Sequence, residues 1–484
     1  MSTDPFSGAR TSSVRNSPEV YEAVSPVSGA VLDRVRLWTA HEISALVEES
    51  DPDLLDVSAE DVFAFLGRFR EAISSSREEL FQKTLLETGF VAGDCRELVD
   101  GAIEYLRDFE THVRGDHRAE RTIPHSYTAR EGREMRIARR PYHTVAALVP
   151  QNAALPLTVT IIASALYAGS RLLLRPSLQC AATGSLLADL VSRSEPPKGS
   201  VHIVNALAEE FLQAICNTAP IEMIHYIGSN RYALDVFNRA FAARKICLLD
   251  GQGNGMLYVD DGFPVDRAVQ LITSGATRYN GETCTSVNGV LVHPRRFEEV
   301  REGVVASFQS LRVGHPGEHR TRVGPLLSAR QAEELAALLS SGKARQVLCG
   351  GTTDGAYFKP AVVEGVEVQD TIVCEGFFGP AIWLHPVEER LLLPWLQANR
   401  FPLSDTVLSH RPELIRLVAS RSRAARICVN QDPSIESMFE PWGGYPPSGL
   451  NIVSDWVDKY LQPYQLDGAA HQLVALRAGL RVEL

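Results

Sequence analysis

Cys284 has the surroundings of a nucleophile. It stands in Arg278-Tyr-Asn-Gly-Glu-Thr-Cys284-Thr-Ser, a polar turn containing glycine, between a helix-like segment and the apolar run NGVLVH. A structural cysteine is normally embedded among apolar residues. Cys180 lies among small residues, and Cys216, Cys247, Cys349, Cys374 and Cys428 each have apolar neighbours on at least one side. A thiol in a polar turn is the one suited to attack an electrophilic carbon. Asn152, in Val149-Pro-Gln-Asn152, interrupts two apolar runs and needs a hydrogen-bond partner, as a helix cap or in a site. Asp250 opens the glycine-rich Asp250-Gly-Gln-Gly-Asn254, where its plain reading is an Asp serving the turn. His315 and His319 have helical spacing, but Pro-Gly-Glu between them argues against a helix, no cysteine pair has zinc spacing, and no metal is expected. A serine-hydrolase elbow and a P-loop are missing as well.

The elements that must hold these residues follow from hydrophobic rhythm. Between Trp38 and His112 the pattern is mostly helical, as in FLGRFREAISSSREELFQKTLLE. RTIPHSYT, the turn-rich AREGRE and MRIARRPY then read as a hairpin. From Thr144 short apolar runs alternate with helical ones. TVAALV, SRLLL, VHIV and EMIHYI read as strands; PLTVTIIASALYAG, CAATGSLLADLVSRS and EEFLQAIC read as helices. That alternation predicts βαβ crossovers and a parallel sheet covered on both faces. Ligands of such sheets bind beyond the carboxyl ends of the strands. This draws attention to Pro150–Asn152, Arg175–Ser177 and Gly228–Ser229. The second half repeats the rhythm less regularly, with strands in MLYVDD, NGVLVH, QVLCGG, AIWLHP and RICVN.

The 484 residues include 59 acidic and 48 basic side chains, a formal net charge of −11. With no long Lys/Arg run, nucleic acid and anionic membrane are set aside as partners. Eight cysteines scattered without paired spacing fit a reducing compartment. The first residues lack an apolar signal core, and the long apolar stretch Thr144–Leu174 is broken by Pro150, Gln151, Asn152, Pro156 and Gly169, so a cytoplasmic protein is expected.

Asn-Gly-Glu-Thr-Cys284 resembles the nucleophile motif of the aldehyde dehydrogenase superfamily. Five further stretches agree in order and approximate spacing: Val149-Pro-Gln-Asn152, Leu174-Arg-Pro-Ser177, Ile227-Gly-Ser229, Glu375-Gly-Phe-Phe-Gly-Pro380, and Val429-Asn430 with Pro441-Trp-Gly-Gly-Tyr-Pro-Pro-Ser-Gly449. The resemblance covers roughly residues 20 to 460. It implies an α/β, aldehyde-dehydrogenase-like fold, with a Rossmann-type cofactor domain, an α/β catalytic domain and a small oligomerisation hairpin. It also implies oxidation of an aldehyde to the acid with NAD(P)+ through a thiohemiacetal and thioester on Cys284. Asn152 and the Cys284 backbone N–H would hold the oxyanion.

The chain departs from the family's pattern in several places. Asp250 stands where hydrolytic members carry the general-base Glu, one methylene shorter. Acyl transfer to coenzyme A, or thioester reduction, is therefore an alternative to hydrolysis, and a catalytically silent homologue is another. Retention of Cys284 and Asn152 argues against the silent one. Arg175 replaces the usual ribose-binding Lys, and Leu178 replaces a Glu of NAD-preferring members. NAD or NADP is expected, with the 2′-phosphate tolerated. Val149, Pro150, Ser177, Gly228 and Ser229 would line the cofactor site, the last two meeting the pyrophosphate at a helix N-terminus. Glu375 and Phe378 would meet the nicotinamide ribose, although Gly376 is the closer match to the family's Glu. Arg278 lies where semialdehyde-oxidising relatives bind a carboxylate, so an anionic aldehyde is one expectation, with Ser437 assisting. A salt bridge to an acid such as Glu282 is the plain alternative. Ala153 and Thr160, small for the family, imply a roomier tunnel.

The expected division is a mobile tail over 1–17, a dinucleotide-binding domain over 18–120 and 141–249, a catalytic domain over 250–430, and an oligomerisation element from 121–140 and 465–484. The last would add to a partner's sheet, making a homodimer or dimer-based tetramer the expected state.

Overall fold

The computed structural model describes residues 20–49, 57–113, 121–122, 133–342 and 344–469. The expected tail over 1–17, the centre of the hairpin and the possible strand HQLVALR lie outside the described residues.

Two seven-stranded sheets organise the described residues. The first contains the parallel strands Thr144–Val149, Arg171–Pro176, Val201–Ile203, Ile221–Ile227 and Ile246–Asp250. Thr144–Val149 lies between Arg171–Pro176 and Ile221–Ile227, so strand order reverses at that point. Every residue of this strand is buried, as expected for a parallel strand covered on both faces. Helix Ala154–Ala168 is apolar almost all round and correspondingly buried. It ends at Gly169, where a φ of 95° suits a residue without a side chain. Gly449–Ser454 extends the sheet antiparallel to Ile246–Asp250, and Trp442–Gly444 follows it.

The second sheet runs Gln346–Cys349, Ala361–Glu364, Ala381–Pro386, Val287–Val292, Gly255–Val259, Ser404–Leu408, Arg426–Val429. All pairings are parallel except that of the first strand. The predicted α/β architecture is borne out, and the sequence reading missed Ala361–Glu364 and Ser404–Leu408. The long amphipathic run over 59–88 is two helices, Ala59–Ser75 and Arg77–Thr88, meeting at Ser76.

A third sheet joins Leu461–Ala469 to Arg133–Pro141 in an antiparallel register from Leu461–Pro141 to Ala469–Arg133, with Arg121–Thr122 on the far side. The C-terminal strand thus begins at Leu461, four residues before the expected element. No described helix is long and apolar enough to cross a membrane.

Candidate active site

The turn that carries Cys284 is built from a backbone that few residues tolerate. Tyr279, Asn280 and Gly281 have φ values of 50°, 56° and 66°, a left-handed run that costs energy at the two non-glycine positions. Asn280 offsets that cost. Its buried amide donates to the Gly89 carbonyl at 3.1 Å and the Pro325 carbonyl at 3.0 Å, and its oxygen accepts from Gly324 N at 2.9 Å. The Tyr279 N–H donates to Asp94 Oδ2 at 2.8 Å. A side chain at Gly281 would meet the Gly379 carbonyl at 2.4 Å. Cys284 follows, and Gly253 lets a second loop close on it: a Cβ there would sit 2.2 Å from the Cys284 carbonyl oxygen.

Cys284 opens into a cavity of about 430 Å³ that also reaches Pro150, Asn152, Ile227, Gly228 and Ser229. These are the ends of the two strands at the order reversal, where ligands of such sheets bind. Asn152 Nδ2 donates to the Glu282 carbonyl at 2.9 Å, two residues before the thiol. An amide nitrogen has two hydrogens, so one stays available to an oxyanion. Burial pushes the Cys284 thiol well above its ordinary value, the charges of Glu436 and Asp250 add to this, and Arg426 partly opposes them. The resting sulfur is therefore a protonated thiol, and attack on a carbonyl needs its thiolate.

Asp250 ends its strand in a buried network. His225 Nε2 lies 2.7 Å from its Oδ2, and Asn451 Nδ2 donates to both oxygens at 3.0 and 2.9 Å. His225 Nδ1 is 3.0 Å from the Tyr460 hydroxyl, so a neutral ring donating from Nε2 and accepting at Nδ1 satisfies both neighbours. Lys459 donates to Asn451 Oδ1 at 3.0 Å and to the Trp442 carbonyl at 2.6 Å. Asp250 touches the cavity wall, but this bonding favours a structural office over the expected base.

Two sequence expectations need correction. Arg278 does not line the cavity. Its Nη2 is ion-paired to Glu97 and its Nε lies 3.5 Å from Asp94 Oδ1. Both acids come from the helix Ala92–Val113, over 180 residues away in sequence, so proximity in the chain pointed to the wrong partner. Glu282 is instead buried against Gln331 at 2.8 Å, and burial pushes its carboxyl up to about 8. Glu375 pairs with Arg400 at 2.7 Å and stays outside the cavity wall, whereas Phe378 lines it. Thr160 and Ser437 also line it.

The cofactor candidates gather along the crevice. The Val149 carbonyl accepts from Ser177 N at 2.8 Å, and Gly228 N donates to the Asp250 carbonyl at 3.0 Å. The Ser229 hydroxyl caps helix Asn230–Ala242, so a helix N-terminus opens there, suited to an anion. Arg175 Nε donates to the Ala206 carbonyl at 2.9 Å. Its terminal nitrogens find no protein partner among the described residues, and burial draws its pKa down to about 10. A half-buried guanidinium without a carboxylate fits an anionic ligand. These residues therefore fit a dinucleotide. We expect Arg175→Ala to raise KM for NADP+ by about tenfold or more, the worth of a charge-assisted contact, with a much smaller change for NAD+. Steady-state kinetics with both cofactors checks this, and equal changes would place the guanidinium elsewhere.

The sequence reading missed Glu436, Glu440, Glu97 and Trp442, which also form the cavity wall. The only signal for the first two was an acidic loop between Asn430 and Pro441.

A crevice at the reversal of a parallel sheet, opening onto a cysteine, is the place where an α/β protein of this kind binds a ligand. The model of the aldehyde dehydrogenase family matches residues 13–465. Similar proteins include the mitochondrial succinate-semialdehyde dehydrogenase of Oryza sativa subsp. japonica, 24% identical over 456 residues covering 91% of this chain and 85% of that protein. The chloroplastic betaine aldehyde dehydrogenase of Amaranthus hypochondriacus is 22% identical, covering 93% and 91%. The NAD+ complex of an aldehyde dehydrogenase from Bacillus cereus superposes with a TM-score of 0.85 at 23% identity, covering 93% of each chain. The chain belongs to the aldehyde dehydrogenase family and is an NAD(P)-dependent member of it.

Proposed function

We propose that this enzyme oxidises an aldehyde to its acid through a covalent adduct on Cys284. The observation that carries this reading is the convergence of Cys284 and Asn152 on one cavity continuous with the strand-end crevice. The Cys284 thiol gives its proton to cavity solvent and its sulfur bonds the carbonyl carbon, while the carbonyl π pair moves to oxygen. Asn152 Nδ2 and the Cys284 N–H donate to that oxyanion. Pro150, Gly228, Ser229 and Arg175 would hold the dinucleotide, which would supply the acceptor for the hydride lost from the adduct carbon. The thioester left on Cys284 is opened by water, releasing the acid and returning the thiol.

The substrate class follows from the cavity wall. Glu97, Glu436 and Glu440 line it, whereas their partners Arg278 and Arg426 do not. An anionic aldehyde would meet carboxylates with no free guanidinium to receive it. Apolar contacts come from Leu157, Met438, Trp442, Trp456 and Phe378. This supports an aldehyde with an apolar or cationic tail. The relatives named for succinate semialdehyde and for betaine aldehyde have oppositely charged substrates, so likeness alone favours neither.

Acyl transfer to coenzyme A is the second reading, favoured by the engagement of the Asp250 carboxylate. The test is nicotinamide reduction with matched ω-carboxy, ω-amino and n-alkyl aldehydes, with and without coenzyme A. We expect turnover without coenzyme A, and kcat/KM lower for the ω-carboxy member by about tenfold, one like-charge contact's worth. Arg278→Ala should leave that ranking unchanged. A strict requirement for coenzyme A would establish acyl transfer, and a flat trace throughout would sink both readings.

A further inference from the structure

Hydrolysis of the Cys284 thioester needs a proton acceptor for the attacking water, and Asp250 is poorly placed to serve. Its side chain is 4% exposed and already accepts from His225 and Asn451. A base must also return its proton to solvent on every cycle, which such burial obstructs.

Three other carboxylates reach the cavity wall. Glu97 is held by Arg278 and by the Tyr279 hydroxyl at 3.3 Å. Glu440 accepts from Ser437 N at 3.1 Å and lies 3.4 Å from Arg426 Nε. Glu436 differs. Its carboxylate stands within the influence of the side chain of Thr285, the residue immediately after Cys284. Its loop is pinned from behind, because Arg426 donates to the Pro433 carbonyl at 2.8 Å and the Ile435 carbonyl at 2.9 Å. The same guanidinium stands 3.6 Å from Glu436 Oε1, and the Glu436 side chain keeps 33% of its surface exposed. With its loop held just upstream by Arg426 and the Thr285 side chain beside it, this carboxylate faces the cavity that holds the sulfur. Its charge, with that of Asp250, works to keep the Cys284 thiol protonated.

We propose that Glu436 is the general base of deacylation in this enzyme, a role that rests on the thioester reading above. The Glu436 carboxylate takes a proton from water as the water oxygen bonds the thioester carbon and the π pair moves to oxygen. The tetrahedral adduct collapses, the C–S bond breaks with its pair going to sulfur, and the acid leaves. Glu436 then gives its proton to solvent through its exposed edge. Burial first, opposed by Arg426 and with Glu440 adding to it, raises the affinity of Glu436 for a proton.

The test is Glu436→Gln in the full-length holoenzyme, with Cys284→Ala beside it. We expect the first-turnover burst of reduced nicotinamide to survive and steady-state turnover to fall about 100-fold or more. An acyl adduct should then accumulate by intact mass, and hydroxylamine should restore turnover by replacing water. Iodoacetamide should alkylate Cys284 faster in the variant than in wild type, because removing a like charge lowers the thiol's pKa. Wild-type turnover without an adduct in Glu436→Gln overturns the proposal while leaving the thiol reading intact. Activity retained in Cys284→Ala would remove the thiol reading itself.

Discussion

Cys284→Ala should lose aldehyde oxidation by at least about three orders of magnitude, the scale seen when a covalent nucleophile is deleted, with cofactor binding unchanged. The reason lies in how the site is assembled. The sulfur is the only atom of this side chain that the chemistry uses, and the turn presenting it is held by other residues. Asn280 carries the brace to Gly89, Pro325 and Gly324, and Gly253 carries the close approach to the Cys284 carbonyl. Removing one sulfur from a cavity wall leaves all of these in place. The crevice residues Pro150, Gly228, Ser229 and Arg175 likewise lie on other elements. Fluorescence titration with NAD+ and NADP+ measures binding, and nicotinamide absorbance measures turnover. Residual oxidation near wild type would mean that hydride transfer proceeds without a covalent adduct. Weakened cofactor binding would mean that the turn and the crevice are coupled more tightly than their separate bracing indicates. The burst in wild type should also rise with pH across the neutral range. The thiol is held protonated by burial and by Glu436 and Asp250, and its reactive form is the thiolate.

The parts of this site legible from sequence are those in which one short segment contains the whole signal. Cys284 was legible because a polar turn is an unusual home for a cysteine, and Asn152 because it interrupts two apolar runs. The strands and helices from Thr144 to Ile227 were legible because the central ones, such as Thr144–Val149 and Ala154–Ala168, are apolar and buried and end at Pro150 and Gly169. Long-range pairing was not legible. Arg278 has the right residue type and spacing for an anion receptor, and only the packing of helix Ala92–Val113 reveals that Asp94 and Glu97 already hold it. Glu436 lies in a loop with no periodicity, and its meaning depends on Arg426 and Thr285. Glu375 sits one residue from Gly376, whose φ of 71° turns the loop so that the acid faces Arg400. Alignment by motif fixed the segment in that case but not the direction of its side chain.

Asp250→Ala should destabilise the fold by about 3–5 kcal/mol, the cost of leaving two buried donors, the His225 N–H and the Asn451 amide, without their acceptor. The carboxylate is the hub through which Ile246–Asp250 meets Gly449–Ser454 and the segment ending at Tyr460. It accepts from His225 Nε2 and Asn451 Nδ2, and Asn451 in turn accepts from Lys459, which is 6% exposed. Without it, the His225 N–H and the Asn451 amide lose their acceptor, and the buried ammonium loses its strongest opposing charge. Burial already draws the Lys459 pKa down to about 8, with the charge of Asp250 working against that fall. A lysine whose folded pKa lies below its unfolded value binds fewer protons when folded, so stability rises with pH from the folded pKa up to the unfolded one. Deleting Asp250 moves the lower end of that window downward. The variant should therefore regain stability as pH rises through neutrality toward 8, a range in which wild type is nearly flat with respect to this group. Urea unfolding at a series of pH values measures both effects. Asp250→Asn keeps acceptor and donor atoms in place and should cost less, while leaving deacylation close to wild type. An Asp250→Asn protein that is stable yet stalls as an acyl-enzyme would restore Asp250 as the base and make the buried network its support.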